Sequence, residues 1–202
     1  MRRRTKWEQR VETNPEHSRW YVERFRSMAA EGQDLAGEAR LVDAMVPRGA
    51  RILDAGCGPG RVGGHLARLG HTVVGVDVDP VLVAAAQEDH PGPEWLVGDL
   101  AELDLPAAGH PDPFDLVVSA GNVLTFLAPG TEVEVLRRLG AHAKPEGRVV
   151  VGFGSGRGYA FEDFFEHVTL AGLRVDSVFS TWDLRPFEPG ADFLVAICSR
   201  AR

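Results

Sequence analysis

Three carboxylates and a run of glycines carry the chemistry of this sequence. Asp54 opens the segment Asp54-Ala55-Gly56-Cys57-Gly58-Pro59-Gly60, and Asp77 and Asp99 follow it at similar intervals. The glycines permit a tight turn and let a ligand approach the backbone, and a helix starting there aims unpaired N–H groups at an anionic part of that ligand. Gly58, Gly60 and Gly63 also spell G-x-G-x-x-G, which alone fits a dinucleotide as well as other nucleosides. Asp54 helps to separate the two. A carboxylate ~4 Å from a unit charge, at an effective dielectric of ~20, interacts with it by at most roughly 4 kcal/mol, which opposes a pyrophosphate and favours an ammonium or sulfonium group. Asp77 stands where a carboxylate accepts hydrogen bonds from both hydroxyls of a ribose. Asp99, in Gly98-Asp99-Leu100, is placed to accept a bond from an adenine amino group.

Strands alternating with helices must position these groups. Arg51 to Ala55 reads as a buried strand, followed by the glycine loop and a helix from Arg61 to Leu69. Thr72 to Val78, Glu94 to Val97, Asp115 to Ser119 and Arg148 to Phe153 read as further strands, with helices over Pro80 to Glu88 and Glu132 to Ala143. Asp79 reads as the cap of the helix that Pro80 opens, where a missing N–H costs nothing. A helix from Phe161 to Ala171 precedes two strand-like runs, Val175 to Thr181 and Phe193 to Cys198, which should pair antiparallel. The pattern predicts an α/β fold, a doubly wound and mostly parallel sheet with helices on both faces and one antiparallel strand at the end. In such sheets ligands bind outside the carboxyl ends of the strands, where all three acids fall. Ahead of the sheet, residues 1 to about 15 read as loosely structured, His17 to Ala30 as a helix, and Asp34 as the cap of a second helix that Pro47 stops.

Residues 50 to about 155 resemble the class I S-adenosylmethionine-dependent methyltransferase family. Ile52-Leu53-Asp54-Ala55-Gly56-Cys57-Gly58-Pro59-Gly60 is similar to its first motif, Gly75-Val76-Asp77-Val78-Asp79 to its ribose motif and Gly98-Asp99-Leu100 to its adenine-side motif. Asp115-Leu116-Val117-Val118-Ser119-Ala120 resembles its fourth strand and Gly147-Arg148-Val149-Val150-Val151 its fifth. The resemblance implies a seven-stranded Rossmann-like sheet with an antiparallel last strand. It implies S-adenosyl-L-methionine as cofactor, held by Asp54, Gly56, Cys57, Gly58, Gly60, Asp77, Val78, Asp99, Leu100, Ala120 and Asn122. It also implies that residues 1–46 form a helical cap over the site, with residues 47–202 as the cofactor-binding domain. Tyr21 and Arg24 on that cap are then candidates to meet the methionine carboxylate. The Asn or Asp, Pro, Pro, aromatic run of nucleic-acid amino-methyltransferases is missing after the fourth strand, where Gly121-Asn122-Val123-Leu124 stands.

Composition narrows the partners. The formal charge is −7, from 29 acids against 22 Lys plus Arg, which favours a small-molecule methyl acceptor over nucleic acid. The basic start, Arg2-Arg3-Arg4-Thr5-Lys6, reads as a solvated terminus with no apolar signal region behind it. No apolar run reaches the ~20 residues that span a bilayer. Two cysteines, Cys57 and Cys198, lack metal or redox spacing and read as packed free thiols, which makes the cytoplasm the expected compartment. No histidine pair has metal-ligand spacing, and no catalytic base is identified. Tyr159 and Asp183 are candidates to border the acceptor, and Trp182 and Phe187 read as packing. The competing readings are a nicotinamide-dependent oxidoreductase, on the glycine pattern with Asp77, and a cofactor-binding module without turnover.

Overall fold

A computed structural model describes residues 2–201. Seven strands form one sheet in the order β3-β2-β1-β4-β5-β7-β6. They are β1 (Arg51–Ala55), β2 (Thr72–Asp77), β3 (Glu94–Val97), β4 (Phe114–Ser119), β5 (Ala143–Gly154), β6 (Leu173–Phe179) and β7 (Phe193–Arg200). The first five run parallel, and β7 lies antiparallel between β5 and β6. This is the predicted doubly wound sheet.

β1 shows why the sheet closes as it does. It pairs with β2 on one side and β4 on the other, and Ile52 and Leu53 are fully buried on opposite faces. Leu53 shares a core with Leu136 and Leu139 of α6 (Glu132–His142) and Phe164 and Val168 of α7 (Phe161–Leu170). Ile52 shares the other core with Val42 of α3 (Gly37–Met45) and with Val62 and Leu66 of α4 (Arg61–Arg68). The strand order reverses between β1 and β4, so the loop after β1 opens at the switch point where such sheets bind ligands.

The N-terminal segment departs from expectation. Residues 2–15 are not loose, because Lys6–Thr13 form a helix, α1; residue 1 of the expected loose stretch lies outside the described residues. Its start is a capping box: the Thr5 hydroxyl accepts the Glu8 N–H at 3.1 Å, and the Glu8 carboxylate accepts the Thr5 N–H at 2.8 Å. α2 spans His17–Ala30 as read from the spacing. Asp34 is not the cap of α3, whose cap position is Ala36. Its carboxylate instead accepts the Ala36 N–H and binds Arg40 through two nitrogens, forming a side-chain turn ahead of the helix.

Asp79 joins this segment to the sheet. It caps α5 (Pro80–Asp89) through the Val81 N–H at 2.8 Å. It also accepts the Trp7 indole N–H at 2.7 Å and the Ser18 hydroxyl, both far away in sequence. Trp7, Ser18 and Asp79 are all buried, so their polar atoms have no solvent to fall back on. Asp79→Ala is therefore expected to lower stability by about 2–4 kcal/mol, since buried donors left unpaired cost roughly 1–3 kcal/mol each and a lost cap about 1. Thermal melts would measure the loss, and limited proteolysis should show cleavage moving into residues 1–30. No helix among the described residues is long and apolar enough to cross a membrane.

Candidate functional site

The loop after β1 turns through Gly56, Gly58 and Gly60, all at positive φ (82°, 54° and 80°). A side chain at Gly56 would place its Cβ 2.4 Å from the Val123 side chain, so the conformation and the close approach both require glycine. The loop is held from outside by the acids. The Asp77 carboxylate accepts the Gly58 N–H at 2.8 Å through one oxygen and the Asp79 N–H at 2.9 Å through the other. Asp54 accepts the Gly63 N–H of α4 at 2.8 Å. Carboxylates thus set the shape of the turn as well as its charge.

A cavity of about 430 Å³ opens above the loop, within the range of small-ligand sites. Asp54, Asp77 and Asp99, at the ends of β1, β2 and β3, all line it, although 2%, 9% and 9% exposed respectively. Burial, the largest influence on each, pushes the Asp54 carboxyl up to about 7 and the Asp77 carboxyl up to about 6, with the backbone N–H bonds pulling the other way. Both are poised to become more fully ionised beside a cation. Asp99 is engaged differently. Its Oδ1 accepts the Ala101 N–H at 2.9 Å, and its Oδ2 pairs with the Arg2 guanidinium at 2.6 Å. The expected solvated terminus is thus folded back onto the site.

α1 and α2 form the opposite wall. Tyr21 lies over the loop, 3.9 Å from where a Gly58 Cβ would be, and its hydroxyl has no hydrogen-bond partner among the described residues. Trp7 packs edge-on against Tyr21 and Phe126, and His17 stacks on Trp20. Arg61, first residue of α4, is clamped by Glu38 and the Leu35 carbonyl. A helix start, buried acids and an unpartnered hydroxyl therefore converge on a nucleoside-sized space.

A solved relative decides what this architecture is. The chain is 48% identical to a TehB-like SAM-dependent methyltransferase from Corynebacterium glutamicum, covering 93% of this chain and 100% of that one, with a TM-score of 0.87. This chain belongs to the class I S-adenosylmethionine-dependent methyltransferases. A family model described as a methyltransferase domain matches residues 52–147 of it. It is also similar to the magnesium-protoporphyrin O-methyltransferase of Rhodobacter capsulatus, 37% identical over 54% of this chain and 48% of that protein. A methyltransferase of Mycobacterium tuberculosis is 40% identical over 55% of this chain and 54% of its own length. The chain spans about half the length of these two curated relatives.

Within this methyltransferase fold, the residues proposed from the sequence mostly meet. Tyr21, Arg24, Asp54, Gly56, Cys57, Gly58, Asp77, Val78, Asp99, Leu100, Ala120 and Asn122 all line the cavity. Gly60 does not. It turns the chain into α4, and a Cβ there would meet Ala86 at 2.8 Å on the packed side. Asn122 ties two strand ends together, its Oδ1 accepting the Gly154 N–H at 2.8 Å. Burial holds the Cys57 thiol well above its usual range, so it stays protonated and unreactive.

Tyr159 and Asp183 do not border the site. Tyr159 is buried, stacked on Phe153 and bonded to His167 Nδ1 at 3.0 Å, and Asp183 is exposed beside Thr181 and Arg185. Trp182 packs into the core as read. Sequence reasoning missed Trp7, Arg10, His17, Phe126 and Arg157, all of which line the cavity. His17 has its pKa lowered, by burial first and then by the Arg10 charge, so its imidazole is neutral at pH 7.

Proposed function

We propose that this chain is a methyltransferase that holds S-adenosylmethionine in the cavity above the glycine loop and methylates a small molecule. The observation that carries this reading is the joint placement of Asp54, Asp77 and Asp99 around one cavity at the ends of three adjacent parallel strands. In this reading Asp77 and Asp99 take the ribose and adenine, and Asp54 lies on the side of the cationic centre. Tyr21 and Arg24 meet the methionine carboxylate as hydrogen-bond donor and ion-pair partner. Residues 1–46 act as a helical cap and residues 47–202 as the cofactor-binding domain.

When bound, the cofactor supplies a methyl group already activated by its sulfonium. The chain's residues then have to align the acceptor and exclude water. The aromatic wall of Trp7, Tyr21 and Phe126 provides apolar surface for that exclusion. An acceptor that must lose a proton requires a base near it, and neutral His17 is the histidine that lines the cavity. The net charge of −7 supports a small acceptor rather than nucleic acid, and two buried free cysteines support a cytoplasmic setting.

Calorimetry with S-adenosylmethionine and S-adenosylhomocysteine tests the reading. Saturable binding of both, with one site per chain, is expected, and absence of binding by either would overturn it. Family membership and the buried Asp54 leave the nicotinamide reading without support. Formation of S-adenosylhomocysteine with any acceptor would remove the reading of a binding module without turnover.

A further inference from the structure

The cavity mouth is electrostatically divided. In sheet order, the ends of β3, β2 and β1 present Asp99, Asp77 and Asp54, whereas the loops after β4 and β5 present no acid to it and β5 leads to Arg157. Arg10 of α1 reaches this second half, its guanidinium 5.2 Å above the ring of Phe126 in the turn after β4. Arg157 follows β5, near Gly154, whose N–H is held by Asn122. Arg24 lies 5.7 Å over the ring of Trp20, which is 53% exposed.

These three arginines share a second property. Among the described residues, the guanidiniums of Arg10, Arg24 and Arg157 are the ones with no carboxylate, carbonyl or ring-nitrogen partner, and all three line the cavity. Elsewhere half-buried and exposed arginines alike are engaged, Arg26 with Glu23, Glu88 and Asp89, and Arg200 with three carbonyls. In a chain of net charge −7, three free cations on one rim create a local field that favours anions. If the methyltransferase reading holds, on which this inference rests, the cofactor brings one carboxylate, and Arg24 with Tyr21 meets it. Arg10 and Arg157 are left over, on the acceptor's half, Arg10 above the half-buried ring of Phe126.

We propose that the acceptor is a flat, anionic molecule, an aromatic carboxylate, whose ring packs among Trp20, His17 and Phe126 and whose charge is taken by Arg10 and Arg157. Guanidinium forks bind carboxylates in two parallel hydrogen bonds, and aromatic faces select a flat ring.

The test uses the protein saturated with S-adenosylhomocysteine, with tryptophan fluorescence as readout and three probes: 2-naphthoate, 2-naphthamide and cyclohexanecarboxylate. Naphthoate should bind at least ~10-fold tighter than either of the others, and its affinity should fall with added salt. Arg10→Gln and Arg157→Gln should each weaken naphthoate by about 10-fold without changing its weak amide counterpart, and unchanged melting temperatures would show the variants folded. Equal binding of naphthoate and the amide, equal binding of cyclohexanecarboxylate, unaltered naphthoate affinity in both variants, or no saturable naphthoate binding at millimolar concentrations would each overturn the proposal. Saturation by S-adenosylhomocysteine in the same samples keeps these outcomes separate from a failure of the methyltransferase reading.

Discussion

Asp77→Asn is expected to weaken S-adenosylmethionine binding by about 100-fold, the largest loss of any single conservative change in the cavity. The carboxylate accepts Gly58 N–H through one oxygen and Asp79 N–H through the other, at 2.8 and 2.9 Å. Asparagine keeps one acceptor and turns a donor toward the remaining backbone N–H, so one buried contact becomes donor against donor. That frees the loop at Gly58 and removes the charged partner proposed for the ribose. Two such losses, each on the order of 1–3 kcal/mol, account for the expected factor. Titration calorimetry reads it directly. Asp104→Asn, a change at an exposed acid, should leave the affinity at the wild-type level. An Asp77→Asn protein binding within a few-fold of wild type would contradict both the loop-anchoring and the ribose assignments.

The anchoring of the loop by Asp77 was not legible in the sequence. Spacing put Asp77 at a strand end, and parallel strands bring their carboxyl ends to one edge, so the meeting of Asp54, Asp77 and Asp99 follows from order and direction alone. That two backbone amides occupy the Asp77 oxygens depends on the turn angles of Gly56 and Gly58, which glycine permits but does not specify. Asp79 shows the same limit. Its cap of α5 was readable from Pro80, but its bonds to Trp7 and Ser18 span most of the distance back to the chain start.

α1 was missed for a different reason. The basic run at its start reads as solvated, yet Thr5 and Glu8 stand at capping-box spacing, and Trp7 and Val11 recur at a helical offset behind it. That signal was present and was outweighed by charge. With α1 unplaced, Arg10 had no route to the cavity, and Arg157 lay in a second glycine-rich stretch, Gly154-Ser155-Gly156-Arg157-Gly158, that matches no motif singled out in the sequence. Tyr159 went the other way: near a strand end it was a candidate for the acceptor side, but the chain after β5 turns it onto Phe153 and His167.

Asp54 should give the cofactor-free and cofactor-bound proteins opposite responses to pH. Burial raises its carboxyl from 3.8 to about 7, so between those values the folded chain holds a proton that the unfolded chain releases. The corresponding stability is fully present below about pH 4 and is lost as pH rises toward 7, a contribution on the order of 4 kcal/mol. Asp77, raised to about 6, adds in the same direction over a narrower window. The melting temperature of the free protein should carry a falling component from pH 4 to 7, reduced in Asp54→Asn. Binding of a sulfonium reverses the preference, because the cation favours the ionised carboxylate. Affinity for S-adenosylmethionine should therefore rise by about 10-fold from pH 6 to 8, whereas S-adenosylhomocysteine, which lacks the sulfonium charge, should respond less. The ratio of the two affinities, measured across this range, isolates Asp54 from every group that senses the shared part of the ligand. A ratio independent of pH in wild type, or one that still rises in Asp54→Asn, would place the cationic centre away from Asp54 and return that acid to a purely structural role at the start of α4.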